Sequence, residues 1–401
     1  MNIKNNVEII KLDDLGRGIG YINNKIIFIP NSLPNEIVNV EITKETNKYY
    51  EGEVKEYIKK SDKRIYPKCP YYKLCGGCNL MHMSYNDSLN YKKEKLKNIL
   101  KKFSDTEVDI EIIENNRIYN YRNKIELKIE NGKWGYYNSK THKFIEIKNC
   151  YLASQSINDV ISYKELFDIE NGIITIRSNY NNEILISIKT QEDINIRLDY
   201  LKTKIKLVGL VANDKLLYGS TFFIEKVKNM SFKVNYDSFF QINPYISDKM
   251  IDVLIDNVKG KNILDLYCGV GFLGLSISKN FENIYGIELN ENSVKDAIKN
   301  SELNGIYNSH FICSNSSDVI DDINHNIDTI IVDPPRAGLF GRTIDNILKF
   351  DANNLVYVSC DPVTLSRDLN ILKEHYKISK VYLLDMFSNT YHFETIVILK
   401  K

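Results

Sequence analysis

The sequence predicts a multidomain protein in which β-rich segments precede a C-terminal α/β domain with a Rossmann-like, doubly wound parallel sheet. Short apolar runs separated by turn residues fill the first part of the chain, whereas strand-like and helix-like runs alternate from about residue 232. The first pattern is typical of small barrels and antiparallel sheets, and the second of a parallel sheet covered by helices. We therefore expect an OB-like β-barrel over residues 1–60, a central β-rich domain over 61–231 and the α/β domain over 232–401.

The composition is that of an ordinary globular chain, with 43% hydrophobic residues, 26% charged residues and a net charge of +1. This charge neither favours nor excludes a nucleic-acid partner, so any basic surface must be local. The chain has neither an apolar run of about 18 residues nor an apolar leader, which predicts a cytoplasmic protein without a membrane span. In that compartment the seven cysteines are expected to be reduced, metal-bound or catalytic.

Five short apolar runs separated by glycine, asparagine and proline turns predict the N-terminal barrel. They lie at residues 7–12, 18–22, 25–29, 37–42 and 51–58. An OB-like barrel often binds oligonucleotides, although a purely structural barrel is the alternative. The basic, polar residues 59–68 are predicted to be a linker.

The next feature is a group of cysteines. Cys69, Cys75 and Cys78 follow one another closely, with glycines that permit a tight turn, and Cys150 comes later in the chain. Four thiolates suit either a [4Fe–4S] cluster or a structural zinc ion, and four unrelated reduced cysteines are the third alternative.

A lysine-rich helix and a strand-rich region follow. Residues 88–103 predict a helix with one apolar face, whose lysines form either a solvated surface or an RNA footprint. These lysines are Lys92, Lys93, Lys95, Lys97, Lys101 and Lys102. Asn131-Gly132 between two strand-like runs predicts a hairpin.

The α/β domain opens with a glycine loop between two predicted strands at residues 262–267 and 283–288. Asp265 precedes Cys268-Gly269-Val270-Gly271, and Glu288 ends the second strand. Glycines let a loop approach a ligand closely, and an acid at the end of the second strand can bind ribose hydroxyls. Because the loop is not G-x-G-x-x-G, the pattern argues against a nicotinamide dinucleotide.

Three later strands carry further chemical groups at their ends. Asp333 follows the predicted strand 327–332, Cys360 follows 354–358, and Glu394 begins the last strand. A helix predicted at 363–376 would favour a Cys360 thiolate through its positive N-terminal end. A buried, inert cysteine and a solvated glutamate are the alternatives.

Taken in order, these motifs resemble the RNA uracil-5-methyltransferases that use S-adenosylmethionine, and residues 7–60 resemble a TRAM domain, an RNA-binding module. Chains with both the barrel and the cysteines are similar to the bacterial 23S ribosomal RNA enzymes. The resemblance implies a monomeric enzyme that methylates carbon 5 of uridine, with Cys360 as nucleophile and Glu394 as base. It implies S-adenosylmethionine contacts at Gln241, Tyr267, Glu288 and Asp333, and a [4Fe–4S] cluster, rather than zinc, on Cys69, Cys75, Cys78 and Cys150.

The chemistry gives these residue types independent reasons. Carbon 5 of uracil is a poor nucleophile until a thiolate adds to carbon 6, and a base must then remove the carbon 5 proton. The target base must also leave its stack. Asp361 stands where family members often carry Asn, and its carboxylate would oppose thiolate formation. A tRNA uridine methyltransferase, an amino-group methyltransferase suggested by Asp333-Pro334-Pro335, and an inactive RNA-binding protein are the other hypotheses.

Overall fold

The computed structural model describes residues 3–138, 141–316, 323, 326–339 and 341–401. The chain forms two compact units, each built from separate stretches of sequence. Unit 1 contains the described residues of Met1–Lys95, Tyr137–Ile145 and Phe387–His392, and unit 2 contains those of Leu96–Tyr136, Glu146–Met386 and Phe393–Lys401. The three-domain division drawn from the sequence stays a prediction.

Unit 1 contains a small sheet with the strand order β1-β5-β6-β4-β3-β2. Its strands are β1 (Ile3–Glu8), β2 (Lys11–Leu12), β3 (Gly18–Ile22), β4 (Lys25–Ile29), β5 (Ile37–Glu45) and β6 (Tyr49–Lys59). Buried valines and isoleucines from β1, β3, β4 and β5 form its core. The first predicted strand was wrong in one respect, because the chain divides it between β1 and β2.

The predicted linker at residues 59–68 is an ordered part of unit 1. Arg64 donates from Nη2 to the Glu36 carboxylate at 2.7 Å and to the Asn31 carbonyl at 2.8 Å. Glu36 is fully buried, so this bidentate ion pair fixes the segment against the barrel. Arg64 therefore anchors the segment, while Lys59, Lys60, Lys63 and Lys68 are exposed.

Two helices, α1 (Tyr72–Cys75) and α2 (Tyr85–Ser104), follow the barrel. The solvated-face prediction for α2 is wrong for Lys92, which is fully buried and donates to the Phe387 carbonyl at 3.2 Å. Lys95 likewise donates to the Tyr391 carbonyl at 3.2 Å. These two lysines of α2 therefore hold the late segment Phe387–His392 within unit 1.

A mixed sheet in unit 2 has the order β9-β8-β12-β13-β15-β16. The predicted hairpin is confirmed, since Asn131 and Gly132 both have positive φ angles, 50° and 69°, between β8 and β9. The strands of the central region are β8 (Lys124–Glu130), β9 (Lys133–Tyr137), β10 (Phe144–Glu146), β11 (Phe167–Asp168), β12 (Gly172–Ser178), β13 (Glu183–Lys189), β14 (Asn195–Ile196), β15 (Lys206–Ala212), β16 (Lys215–Gly219), β17 (Phe222–Val227) and β18 (Met230–Asn235), with helices α3 (Gln155–Ser162) and α4 (Leu198–Lys204).

The C-terminal sheet of unit 2 confirms the predicted Rossmann-like α/β domain. Its order is β21-β20-β19-β22-β23-β25-β24-β7, with β25 antiparallel to both of its neighbours. The strands are β7 (Ile110–Ile113), β19 (Asn262–Leu266), β20 (Asn283–Glu288), β21 (Ser309–Cys313), β22 (Thr329–Val332), β23 (Asn354–Ser359), β24 (Lys377–Leu384) and β25 (Glu394–Lys400). The strand β7, not predicted from the sequence, pairs with β24 at one edge.

Helices pack against this sheet and bury a continuous apolar core that includes Leu264, Ile330 and Val397. They are α5 (Pro244–Asn257), α6 (Phe272–Ser276), α7 (Glu291–Leu303), α8 (Gly341–Lys349) and α9 (Pro362–Leu372). The predicted helix at 363–376 is shorter than expected, because the chain turns after Leu372 to enter β24. In the part of the chain that the structure describes, none of the helices combines the length and hydropathy that crossing a membrane requires.

Candidate functional site

Five strand ends of unit 2 lie along one edge of the C-terminal sheet. Strands β20, β19, β22 and β23 are parallel neighbours, so their carboxyl ends share this edge. Strand β25 runs in the opposite direction and therefore begins at the same edge. Ligands of open α/β sheets bind outside the carboxyl ends of the strands. The residues at these ends are Glu288, Asp265, Asp333, Cys360 and Glu394.

The register between β23 and β25 brings Cys360 and Glu394 together. Ser359 pairs with Thr395, so extending the ladder by one residue places Cys360 opposite Glu394. Directly opposed residues in an antiparallel pair have Cβ atoms about 5 Å apart. The thiol is half-buried and the carboxyl is 6% exposed. A sulfur nucleophile and a buried carboxyl therefore flank one position at the sheet edge.

Burial and acidic neighbours make the Cys360 thiol hard to ionise in the structure as it stands. Burial, reinforced by Glu394 and Asp333, raises the pKa of Cys360 to about 11. Arg336 opposes this effect through its positive charge. Arg336 was not assigned from the sequence, although its place directly after Asp333-Pro334-Pro335 at a strand end was the available signal.

The helix that follows Cys360 does not supply the expected help to a thiolate. Asp361 is the N-cap of α9, and its carboxylate accepts from the N–H groups of Val363 at 2.9 Å and Thr364 at 3.1 Å. Its negative charge occupies the positive end of the helix. The raised pKa of Cys360 itself comes from burial, Glu394 and Asp333. The carboxylate of Asp361 is directed to the helix and not to the sulfur.

Two carboxyls share the environment of the thiol, Glu394 being buried and Asp333 half-buried. Burial, with a further contribution from Asp333, raises the pKa of Glu394 well above its ordinary range, and Arg336 opposes the shift. Burial also raises the pKa of Asp333 to about 7. Burial therefore favours the neutral form of Glu394, and only the carboxylate form can act as a base.

The glycine loop after β19 leaves space for a ligand. Gly269 and Gly271 have positive φ angles of 55° and 80°, and a Cβ atom built on Gly269 would meet nothing within 4 Å. Tyr267 also has a positive φ, 64°, which is costly for a residue with a bulky side chain. Such backbone strain commonly marks a functional site, and no pattern in the sequence predicted it.

Two acids border this loop. Glu288 accepts from the Gly269 N–H at 3.1 Å and from the Asn290 N–H at 2.8 Å, which fixes its carboxylate beside the loop. Asp265 accepts from the Gly274 N–H at 2.9 Å, while its other oxygen is buried without a partner among the described residues. Burial raises the pKa of Asp265 to about 7. The loop therefore offers oxygen acceptors beside open space.

Gln241 belongs to a segment that is held firmly within unit 2. Asn123 donates from its side chain to the Gln241 carbonyl at 3.2 Å and from its backbone to the Ile242 carbonyl at 3.0 Å. Asn243 caps α5 and donates to the Met386 carbonyl at 3.0 Å. The structure thus explains how Gln241 is positioned, and its predicted role as a cofactor contact stays a prediction.

The four predicted cluster cysteines fall in different units. Cys69, Cys75 and Cys78 surround α1 in unit 1, where Gly76 takes a positive φ of 73° and ends the helix. Cys150 belongs to unit 2, where Asn158 holds its backbone on both sides. None of the seven cysteines forms a disulfide. Within the described ranges, no three His, Cys, Asp or Glu side chains are close enough together to hold a metal ion.

Two family profiles match the chain. The profile of the tRNA (uracil-5-)-methyltransferase family covers residues 84–401, and that of the TRAM domain covers residues 5–55. The first match includes all five strand-end residues of the sheet edge described above.

Similar proteins extend over the full length of the chain. An uncharacterized RNA methyltransferase of Clostridium tetani is 31% identical, with 98% of this chain and 95% of that protein covered. The 23S rRNA (uracil(1939)-C(5))-methyltransferase RlmD of Vibrio parahaemolyticus is 28% identical, again covering 98% and 95%. Among solved structures, the tRNA (uracil-54, C5)-methyltransferase of Pyrococcus abyssi, in complex with S-adenosyl-L-homocysteine, superimposes with a TM-score of 0.82, 26% identity and coverage of 99% and 100%.

Proposed function

Because the chain belongs to the tRNA (uracil-5-)-methyltransferase family, we propose that it methylates carbon 5 of a uridine in 23S ribosomal RNA through a covalent adduct on Cys360. The observation that carries the proposal is the register of β23 and β25, which sets Cys360 opposite Glu394. A flat pyrimidine ring needs a sulfur at carbon 6 and a base at carbon 5, which are adjacent ring atoms. The close approach of these two strand ends matches that demand.

The two residues act in sequence on the ring. The Cys360 thiolate forms a bond to carbon 6, and the displaced electron pair makes carbon 5 nucleophilic. Bound S-adenosylmethionine supplies the electrophilic methyl group that carbon 5 takes up. Glu394, as the carboxylate, then removes the remaining proton from carbon 5, and the electron pair left behind expels the Cys360 thiolate. One proton leaves the ring, and the enzyme returns to its starting state.

The resting ionisation of the site assigns a role to Arg336. Its guanidinium lowers the pKa of both Cys360 and Glu394, against the effect of burial. These are the two groups that must be anionic during the cycle. Arg336 therefore stabilises the thiolate before attack and the carboxylate before proton removal.

The glycine loop and its neighbours fit S-adenosylmethionine. Glu288 offers carboxylate oxygens for ribose hydroxyls, and the open space at Gly269 admits the ligand close to the backbone. Asp333 is a half-buried acid with a raised pKa, and a cationic ligand would favour its charged form. Tyr267 lies at the end of β19 within the same loop, and Gln241 is the fourth proposed contact.

We propose that Cys69, Cys75, Cys78 and Cys150 hold a [4Fe–4S] cluster, with zinc as the less favoured metal. Support comes from the donor chemistry, since four thiolates suit such a cluster. Three of the four cysteines also lie within ten residues of one another, and the chain turns at Gly76 between Cys75 and Cys78. Methyl transfer moves no net electrons, so the cluster's proposed role is structural. Iron, sulfide and zinc analysis of protein purified without oxygen tests the assignment, and zinc without iron would contradict it.

The choice of RNA rests on the full-length similarity to a 23S rRNA enzyme, together with the TRAM domain. A tRNA is the second candidate, because the similar Pyrococcus abyssi structure is a tRNA enzyme. The protein should be incubated separately with unmodified 23S rRNA and tRNA transcripts, and 5-methyluridine measured by mass spectrometry of the nucleosides. Product in 23S rRNA alone is expected, and product in tRNA alone would reverse the choice.

One variant distinguishes an amino-group methyltransferase from the proposed uridine carbon 5 methyltransferase. An enzyme that methylates an exocyclic amine needs no sulfur nucleophile, whereas uridine carbon 5 does. Cys360→Ala should therefore form no 5-methyluridine while it still binds S-adenosylmethionine by calorimetry. Full methyl transfer by this variant would contradict the proposed function.

A further inference from the structure

Two basic side chains face each other across adjacent strands of unit 2. Lys124 on β8 and Arg177 on β12 are directly opposed in the antiparallel register, so their side chains lie on the same face of the sheet. Arg177 is 3% exposed, and Lys124 is half-buried. Directly opposed like charges destabilise a sheet. The stability of the fold therefore does not explain the pair.

The described acidic side chains leave the pair without a salt bridge. Arg177 donates from Nη2 to the Ser238 carbonyl, while its buried Nε–H has no acceptor among the described residues. Glu126, the next acid on the same face of β8, forms an ion pair with Lys128 at 2.9 Å. The charge of Asp237 raises the pKa of Arg177, but no salt bridge joins the two among the described residues. The two cations thus lie opposite each other on one face of the sheet, and no salt bridge joins either of them to an acid among the described residues.

The electrostatics of the pair agree with a missing anion. Burial, together with the charge of Arg177, lowers the pKa of Lys124 to about 8. Burial lowers the pKa of Arg177 to about 10. An anion between the two side chains would restore the charged form of each.

The pair is tied to the segment that contains Gln241. Arg177 bonds the Ser238 carbonyl, and Asn123, next to Lys124, holds the Gln241 carbonyl. An anion on Lys124 and Arg177 would therefore lie close to the chain that carries a proposed cofactor contact.

We propose that Lys124 and Arg177 bind one backbone phosphate of the RNA substrate. Arg offers a planar fork that matches two phosphate oxygens, and Lys adds a point charge. Phosphate contacts of this kind fix the register of the nucleic acid without reading its sequence. The site rests on the proposed function only in taking RNA as the source of the phosphate.

The test measures RNA binding as a function of salt. A fluorescent single-stranded, uridine-containing RNA oligonucleotide is titrated with the unaltered protein and with Lys124→Met at several potassium chloride concentrations. Losing one phosphate contact should weaken binding and reduce the slope of log affinity against log salt by about 0.7. Because the substitution also removes like-charge repulsion, the melting temperature should stay the same or rise. A lysine that only stabilised the fold would lower it.

Matched variants separate this site from general charge effects. Lys128→Met, on the same face of β8, removes an equal charge that Glu126 already pairs, and it should change the salt slope by less. Lys124→Arg should keep the unaltered slope. Equal slope changes in Lys124→Met and Lys128→Met, or no RNA binding by the unaltered protein, would overturn the proposal.

Two further readouts identify the source of the anion and separate the site from the proposed function. S-adenosylmethionine affinity should not change in Lys124→Met, and a loss there instead of in RNA binding would assign the anion to the cofactor carboxylate and overturn the proposal. RNA binding that depends on Lys124, without 5-methyluridine formation by the unaltered protein, would refute the proposed function alone. Methylation with binding independent of Lys124 would refute the phosphate site alone.

Discussion

The ionisation of Cys360 provides a sharp test of the electrostatics at the sheet edge. Glu394 is the largest cause, after burial, of the raised pKa of this thiol, and Arg336 is the group that opposes it. Replacing Glu394 with Gln removes the acid at nearly constant volume. Replacing Arg336 with Met removes the opposing cation while keeping an apolar stem. The two changes should move the Cys360 pKa in opposite directions, down for Glu394→Gln and up for Arg336→Met.

The environment of Cys360 sets the size of the pKa increase in the unaltered protein. The Cys360 pKa is about 11, against an ordinary value of 9.0. A shift of about two units corresponds to about 100-fold less thiolate than an ordinary thiol would have at the same pH below its midpoint. The rate of alkylation by iodoacetamide is proportional to the fraction of thiolate. Cys360 in the unaltered protein should therefore react slowly near neutral pH and much faster above pH 10.

The assay is alkylation rate against pH, followed by mass spectrometry of the Cys360 peptide without RNA or cofactor. The exposed Cys313 provides an internal reference for reagent and digestion in the same samples. The midpoint for Cys360 should fall in Glu394→Gln and rise in Arg336→Met. An unchanged or higher midpoint in Glu394→Gln would refute the coupling between these two strand ends. A midpoint of 9 or below in the unaltered protein would refute the effect of burial.

Two further predictions concern stability. The pKa of Asp265 is raised to about 7, so the folded state retains a proton that the unfolded state loses near pH 4, and stability should fall as pH rises from about 4 to about 7. Asp265→Asn should flatten this decline in urea unfolding, and an identical pH dependence in the two proteins would contradict the assignment. Lys92→Met should lower the free energy of unfolding by about 1–3 kcal/mol, because it leaves the Phe387 carbonyl without its donor. Lys97→Met, at an exposed position of the same helix, should change it by less than about 0.5 kcal/mol, and equal effects of the two substitutions would show that the buried contact contributes little.

Local patterns in the sequence predicted the parallel sheet, its glycine loop and the residues at the strand ends. They could not predict that β25 inserts beside β23, because the choice of strand partner depends on contacts between distant parts of the chain. That pairing sets Cys360 opposite Glu394. The strand β7 was missed for the same reason, since its partner β24 lies far along the chain.

Charged residues were the other source of error. Lys92 was assigned to the solvated surface because it is charged, although it lies three residues after Leu89 and four before Leu96 and so borders the apolar face. The late segment around Phe387 covers it and accepts its hydrogen bond. The helix after Cys360 was expected to favour a thiolate, but Asp361 uses that helix end as an N-cap. The capping by Asp361 depends on where its side chain points, and periodicity along the sequence does not contain that information.

The central claim is that sulfur from Cys360 joins carbon 6 of uracil while the carboxylate of Glu394 completes the reaction. Its most direct measurement is the intact mass of Glu394→Gln after mixing with S-adenosylmethionine and a substrate RNA that is then digested to nucleotides. We predict a protein mass increased by one methylated uridine nucleotide, located on the Cys360 peptide and absent from the Cys360→Ser, Glu394→Gln double variant. An unmodified Cys360 in a protein that still forms 5-methyluridine would contradict the account.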